Sequence, residues 1–129
     1  MICVDSSVWI AALRDETGST AVHLAELVDA DVVIVPAPVR IEVLAGSPRQ
    51  QLAALADGFS GVAGAIPGSS TWEKVEGWVG EAVAAGQRFA VVDLLIAATA
   101  REHDASLWSL EVDFKRMQEL GFVALYTAP

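Results

Sequence analysis

Positive charge, cysteine and long apolar runs are all scarce in this chain of 129 residues, and each shortage narrows what it can do. Eight basic residues stand against 17 acidic ones, a formal net charge of −9. Affinity for a phosphate backbone comes mainly from Lys and Arg, so that balance by itself argues against nucleic-acid binding. The argument weakens if several acids surround one cation, because a bound metal cancels their charge locally. A single cysteine, Cys3, excludes an internal disulfide and any cysteine-rich zinc site; its apolar neighbours make it a core thiol. The longest apolar stretches, Val32–Val39 and Leu94–Ala100, fall far short of the roughly 20 residues of a bilayer span. Met-Ile-Cys-Val lacks a basic flank and is interrupted by Asp5, so the expectation is a protein without a signal peptide or membrane partner, located in the cytoplasm.

What is present is apolar. Hydrophobic residues make up 53% of the chain and charged ones 19%, which excludes intrinsic disorder. The length suits one domain, residues 1–129, with a sizeable core. No repeat or long linker divides it. Gly58–Ser70 holds four glycines and a proline, but the apolar run Val62–Ile66 inside it reads as a short strand between loops.

Strand and helix patterns alternate. Ile2–Val4 is a short apolar run and Val8–Leu13 a helix. Thr17 and Ser19 offer caps for a second helix, with Ala21, Leu24, Ala25 and Val28 on one face. Val32–Val35 is β-branched and closes at Pro36, as buried strands do. Pro38 opens a helix over Val39–Leu44 that Gly46 ends, and Pro48 opens another through Asp57. Ser70 or Thr71 caps a long helix whose stripe holds Trp72, Val75, Val79, Ala82, Val83 and Gly86. Leu94–Ala100 is apolar all round and therefore central. Ser106–Leu110 reads as a strand, Phe114–Leu120 as a helix and Phe122–Tyr126 as a last strand. This order predicts an α/β fold with a mainly parallel sheet wrapped by helices.

Parallel α/β folds gather functional groups at the carboxyl ends of their strands. Asp5 ends the first strand, Asp93 stands just before the central helix, and Asp113 follows the strand Ser106–Leu110, with Glu111 two residues earlier. Glu42 lies in a short helix among Ile41, Val43 and Leu44, where a carboxylate needs a partner or a cation. Each acid also has a structural use. Asp5, Asp93 and Asp113 could cap the helices that follow them, and Glu42 could pair with Arg40. Taken together, four acids at one point could not stay ionised without compensation. Oxygen donors without His or Cys call for a hard cation, Mg²⁺ or Mn²⁺.

The motifs Asp5-Ser6-Ser7, Arg40-Ile41-Glu42-Val43-Leu44, Asp93-Leu94-Leu95-Ile96-Ala97-Ala98-Thr99-Ala100 and Ser109-Leu110-Glu111-Val112-Asp113-Phe114 resemble, in order and spacing, those of the PIN domain. Within it the likeness is to the VapC toxins of bacterial toxin–antitoxin pairs, across essentially the whole chain. The resemblance implies a three-layer α/β/α sandwich and a metal-dependent ribonuclease. It implies that Asp5, Glu42, Asp93 and Asp113 form the acidic quartet, with Ser6 and Ser109 as the hydroxyls beside the first and last acids. It also implies a homodimer, and a VapB-type antitoxin with a basic half and a tail that folds around the toxin. Two departures stand in the last motif, where Glu111 replaces the usual Asp and Leu110 the usual polar residue.

The chemistry agrees with the resemblance. Phosphodiester hydrolysis at neutral pH needs an activated water and a counter-charge for the phosphate, and a carboxylate-held Mg²⁺ or Mn²⁺ supplies both. Asp5, Asp93 and Asp113 are the expected ligands, direct or through water. Glu42 suits a second ion or the attacking water, and Ser6, Ser109 and Glu111 suit the hydrogen bonds around them. Arg14, Lys115 and Arg116 lie close in sequence to these acids and are the candidates for RNA phosphates. An antitoxin would best oppose the acids with an Arg or Lys. His23 and His103 have no second histidine nearby and read as non-catalytic. Trp9 and Trp72 read as core, while Trp78 lies off the apolar stripe. The rival readings are a PIN-like scaffold that has lost catalysis, which would not need clustered charge, and an acid-site phosphotransfer domain. The Asp-x-Asp or acid pair with a late Lys that the second requires is absent.

Overall fold

A computed structural model describes all 129 residues. Its elements are β1 (Ile2–Val4), α1 (Ser6–Arg14), α2 (Ser19–Asp29), β2 (Val33–Pro36), α3 (Ala37–Ala45), α4 (Leu52–Ser60), β3 (Ala63–Ala65), α5 (Ser69–Ala84), α6 (Val91–Glu102), β4 (Ser106–Trp108) and α7 (Asp113–Glu119). A single 3₁₀ turn, Arg49–Gln51, follows Pro48 and leads into α4. The four strands form one parallel sheet in the order β3-β2-β1-β4. All four residues of β2 are buried, so helices cover both faces of the sheet and the architecture is the expected α/β/α sandwich.

The strand order places the site. From β1 the chain builds outward through β2 and β3, then returns to lay β4 on the other side of β1. The carboxyl ends of β1 and β4 therefore meet at the switch point where such sheets bind ligands. In register, Val4 lies opposite Trp108, so Asp5 and Ser109 leave the sheet side by side. Beneath them sits a cluster of 25 buried apolar residues. Helix α6 runs through it with every residue from Leu94 to Ala100 buried; the one hydroxyl among them, Thr99, donates to the Leu95 carbonyl at 2.8 Å. Cys3 is fully buried, and burial raises its thiol pKa.

Several expectations change. Phe122–Tyr126 is not a strand of the sheet: it makes one parallel bridge, Leu107 to Leu125, and the Gln118 side chain takes the Leu125 amide. Asp93 is no cap, because α6 starts two residues before it and Ala90 holds the cap position. Asp113 likewise begins α7 instead of capping it. Gly18 and Gly68 occupy the cap positions of α2 and α5, and Thr71 reaches back to accept the Gly68 amide at 3.1 Å. Trp72 is not core but 51% exposed, with Val79 and Val83 beside it on the open face of α5. Trp78 turns inward instead and stacks on Phe122 at 4.5 Å. Of the stripe expected on one face, only Val75 and Ala82 are buried. Gly86 ends α5 at φ 75°, a left-handed conformation that glycine adopts without strain.

Candidate active site

Asp5 is held more tightly than any other acid here. Its backbone amide donates to the Trp108 carbonyl at 2.9 Å, and its extended φ and ψ place it as the N-cap of α1. At 2% exposure the carboxylate needs donors, and it has them. Oδ2 accepts from the Ser7 hydroxyl at 2.7 Å, the Ser109 hydroxyl at 2.8 Å and the Ser7 amide at 3.4 Å. Oδ1 has only the Ser6 hydroxyl, at 3.4 Å. Ser6 lies closer to Glu42 Oε1, at 3.1 Å, so a single hydroxyl links the first two acids.

Glu42 sits on an exposed part of α3, not in the apolar surroundings its neighbours suggest, and it pairs with Ser6 and not with Arg40. Partial burial pushes its pKa up, the Ser6 hydrogen bond opposes this, and the Asp5 charge adds to it. Asp93, half-buried in the first turn of α6, is pushed up to about 6. Burial is the largest cause, followed by the charges of Asp5, Asp113, Glu42 and Glu111 in that order. No side-chain or backbone donor offsets them. The site thus concentrates negative charge on one carboxylate that has nothing to answer it.

Asp113 pairs with Arg116 at 2.6 Å, one turn along α7. Arg116 also donates to Gln87 and lies over the Phe89 ring at 4.9 Å, so its guanidinium is engaged on three sides. Lys115 is exposed and lines a 260 Å³ hollow with Ser109, Leu110, Glu111, Val112 and Leu125. Arg14 lies about two turns beyond Ser6, in a separate 420 Å³ cleft with Ile10, Val43, Ser47 and Gln51. The structure therefore brings Asp5, Glu42, Asp113 and Glu111 close enough for their charges to act on Asp93, and leaves Arg14 in a separate cleft. His23 bonds the Tyr126 hydroxyl at 2.6 Å and faces Glu26 at 3.4 Å, and His103 bonds the Thr99 carbonyl at 2.9 Å; neither ring bonds to Asp5, Glu42, Asp93 or Asp113.

One polar residue of the first motif receives no role from the sequence. Ser7 looks like an ordinary first-turn serine, yet its hydroxyl joins Asp5 to the loop after β4, accepting the Leu110 amide at 3.0 Å. The only available signal is its place two residues after a strand-end Asp, where helix N-caps find their amide and hydroxyl partners.

The sequence matches the PIN domain family over residues 2–120. The chain belongs to the PIN domain family. Solved structures with the PIN fold agree. VapBC2 from Rickettsia felis, bound to a DNA fragment from its promoter, superposes with a TM-score of 0.82 at 18% identity, covering 100% of both chains. VapC20 from Mycobacterium tuberculosis, a toxin that cleaves the Sarcin-Ricin loop, gives 0.71 at 20% identity, with 98% of this chain and 100% of that one covered. DNA-bound VapBC from Salmonella typhimurium gives 0.78 at 12% identity, over 97% and 96%. At these identities the likeness establishes a shared fold. No curated protein matches the chain.

The PIN site's donors suit a divalent cation. They are carboxylate and hydroxyl oxygens, the set that Mg²⁺ and Mn²⁺ prefer, and Asp93, its pKa raised by burial and then by neighbouring carboxylates, has no hydrogen-bond donor. As they stand, no three of the acids are gathered tightly enough to hold an ion.

Proposed function

We propose that this PIN domain, as a single domain over residues 1–129, is a Mg²⁺- or Mn²⁺-dependent endoribonuclease and the toxin of a VapBC-type toxin–antitoxin pair. The observation that carries the reading is the Asp93 carboxyl in the first turn of α6: burial and then the charges of four other carboxylates push its pKa up, and no donor hydrogen-bonds to it. A fold serving only as a scaffold gains nothing from that cost. When bound, the cation would supply an activated water and a positive charge facing the scissile phosphate.

The chain's own residues do the rest. Asp5, Asp93 and Asp113 would hold the ion, directly or through water, and Glu42 would orient the attacking water or a second ion. Ser6 and Ser109 keep the carboxylates turned toward it, and Glu111, replacing a shorter acid, reaches the same region through one more methylene. Lys115, exposed beside the loop, and Arg14, along α1, contact the RNA backbone. Arg116, already spent on Asp113 and Gln87, contributes more by positioning Asp113 than by binding phosphate.

The partner follows from the same charge. A basic antitoxin tail that places an Arg among the acids would fill the space of cation and phosphate together. The VapBC complexes among the fold's relatives support such a partner, and a homodimer in the cytoplasm completes the reading. No helix of the chain is long and apolar enough to cross a membrane. The test is incubation of purified protein with total RNA, with Mg²⁺, with Mn²⁺ and with chelator, beside an Asp93→Asn control. Cation-dependent cleavage lost in the control supports the proposal; intact RNA under every condition leaves the scaffold reading in its place.

A further inference from the structure

Ser7 makes three contacts that join Asp5 to the loop after β4. It donates to Asp5 Oδ2 at 2.7 Å, accepts from the Leu110 amide at 3.0 Å and lies 3.3 Å from the Ser109 hydroxyl. Ser109 in turn donates to the same Oδ2 at 2.8 Å and accepts the Glu111 amide at 3.0 Å. A carboxylate oxygen has about two lone-pair directions, so two short hydroxyl bonds occupy Oδ2. Oδ1 keeps only a 3.4 Å contact with Ser6, whose one proton is better spent on Glu42 at 3.1 Å. Because Ser6 reaches both oxygens, Oδ1 is the oxygen of Asp5 on the Glu42 side.

We infer that Ser7 is a positioning residue: with Ser109 it locks Oδ2 of Asp5, so that Asp5 offers the cation Oδ1 alone, and it ties this oxygen to the Leu110–Glu111 backbone. The two halves of the site, the start of α1 and the loop before α7, then move as one unit. This rests on the metal-site reading above, but it adds an atom and a residue which that reading does not require. Groups that orient a ligand from outside commonly change metal affinity or activity by about 10- to 100-fold when removed.

The experiment compares wild type with Ser7→Ala, Ser7→Cys and Ser7→Thr. Calorimetric titration with Mn²⁺ alone reads affinity without RNA, and hydrogen exchange of the Leu110 amide in chelator reads the clip itself. Ser7→Ala is expected to lose about tenfold in Mn²⁺ affinity, to speed Leu110 exchange, and to lower kcat with KM little changed. Ser7→Thr, which keeps the hydroxyl, should restore all three. If the alanine variant fails to fold, Ser7→Cys, nearly the same size but a weak donor, carries the comparison. Mn²⁺ affinity within twofold of wild type in the folded variant overturns the inference. Failure of the nuclease reading looks different: wild type would bind Mn²⁺ and respond to Ser7→Ala yet leave RNA intact.

Discussion

The Ser109 hydroxyl donates to Oδ2 of Asp5 across 2.8 Å, joining residues 104 positions apart in the chain. Each follows a strand directly, Asp5 after β1 and Ser109 after β4, and those strands are neighbours at the point where the sheet reverses its order. Both the acid and the group that orients it are thus delivered by the topology, with no flexible loop between strand and side chain. Rigid strand ends hold such groups better than loops do, and the chemistry proposed here depends on that placement.

Asp93→Asn should stabilise the metal-free protein, increasingly so as pH rises. The folded pKa of about 6 lies above the unfolded value near 3.9. Below about pH 4 the carboxyl is protonated in both states and nothing is lost. Between about 4 and 6 the folded state binds more proton than the unfolded one, so Asp93 makes stability fall with rising pH. Above that interval the penalty is constant. Because the group is half-exposed, solvent screening leaves roughly 1 kcal/mol. Asn loses no cap, since Ala90 holds that position. Urea denaturation in chelator at pH 4 and pH 7.5 should show the two proteins alike at the first and the variant more stable at the second.

Mn²⁺ should raise the melting temperature of wild type by mass action, adding about 2.7 kcal/mol of stability at a hundred times Kd. The same cation should leave a variant with Asp5, Glu42, Asp93 and Asp113 all changed to amides unmoved. Zn²⁺ should support cleavage poorly, since the site offers it neither nitrogen nor sulfur. Thermal scans with and without Mn²⁺ check the first statement, and RNA cleavage assays with each ion check the second.

Much of this site is legible in the sequence because strand ends are legible. Asp5 after Ile-Cys-Val, and Asp113 after Ser-Leu-Trp-Ser-Leu-Glu-Val, fall where a parallel sheet gathers ligands. The apolar run from Leu94 announces a buried helix with Asp93 at its mouth. Other features depend on long-range geometry that no local pattern encodes. Ser7 matters because Leu110 comes to it from the far end of the chain. Phe122–Tyr126 has a strand's composition, yet only Leu107 is free to pair with it. Trp72 and Trp78 exchange their expected roles because Phe122 stands opposite Trp78, which a helical wheel cannot foresee. The overall charge of −9 argues by itself against nucleic acid, and composition cannot show that the charges of four other acids act on Asp93.

Lys115→Ala and Arg14→Ala should each weaken RNA binding by the Asp93→Asn protein without regard to sequence. Each should also lower the slope of log K against log salt by about 0.7, as expected when one contact to a single strand is lost. Arg116→Ala should act chiefly on kcat, because it frees Asp113 and Gln87. Filter binding over a salt series separates the two classes.

A complex with a basic antitoxin should weaken with salt and with added Mn²⁺, because cation and arginine compete for the same carboxylates. Glu42→Gln or Asp113→Asn should reduce the arginine-dependent part. Binding that is unchanged when all four acids are amides would place inhibition elsewhere on the surface. Titration of the purified pair measures each case.

The most direct test of the central claim is the anomalous difference density of crystals soaked in Mn²⁺. The account predicts a peak about 2.1 Å from Oδ1 of Asp5, bordered by Asp93 and Asp113, with Oδ2 of Asp5 still bonded to Ser7 and Ser109. A saturating soak that leaves these carboxylates without a peak, or that places the ion on some other acidic group, would contradict it.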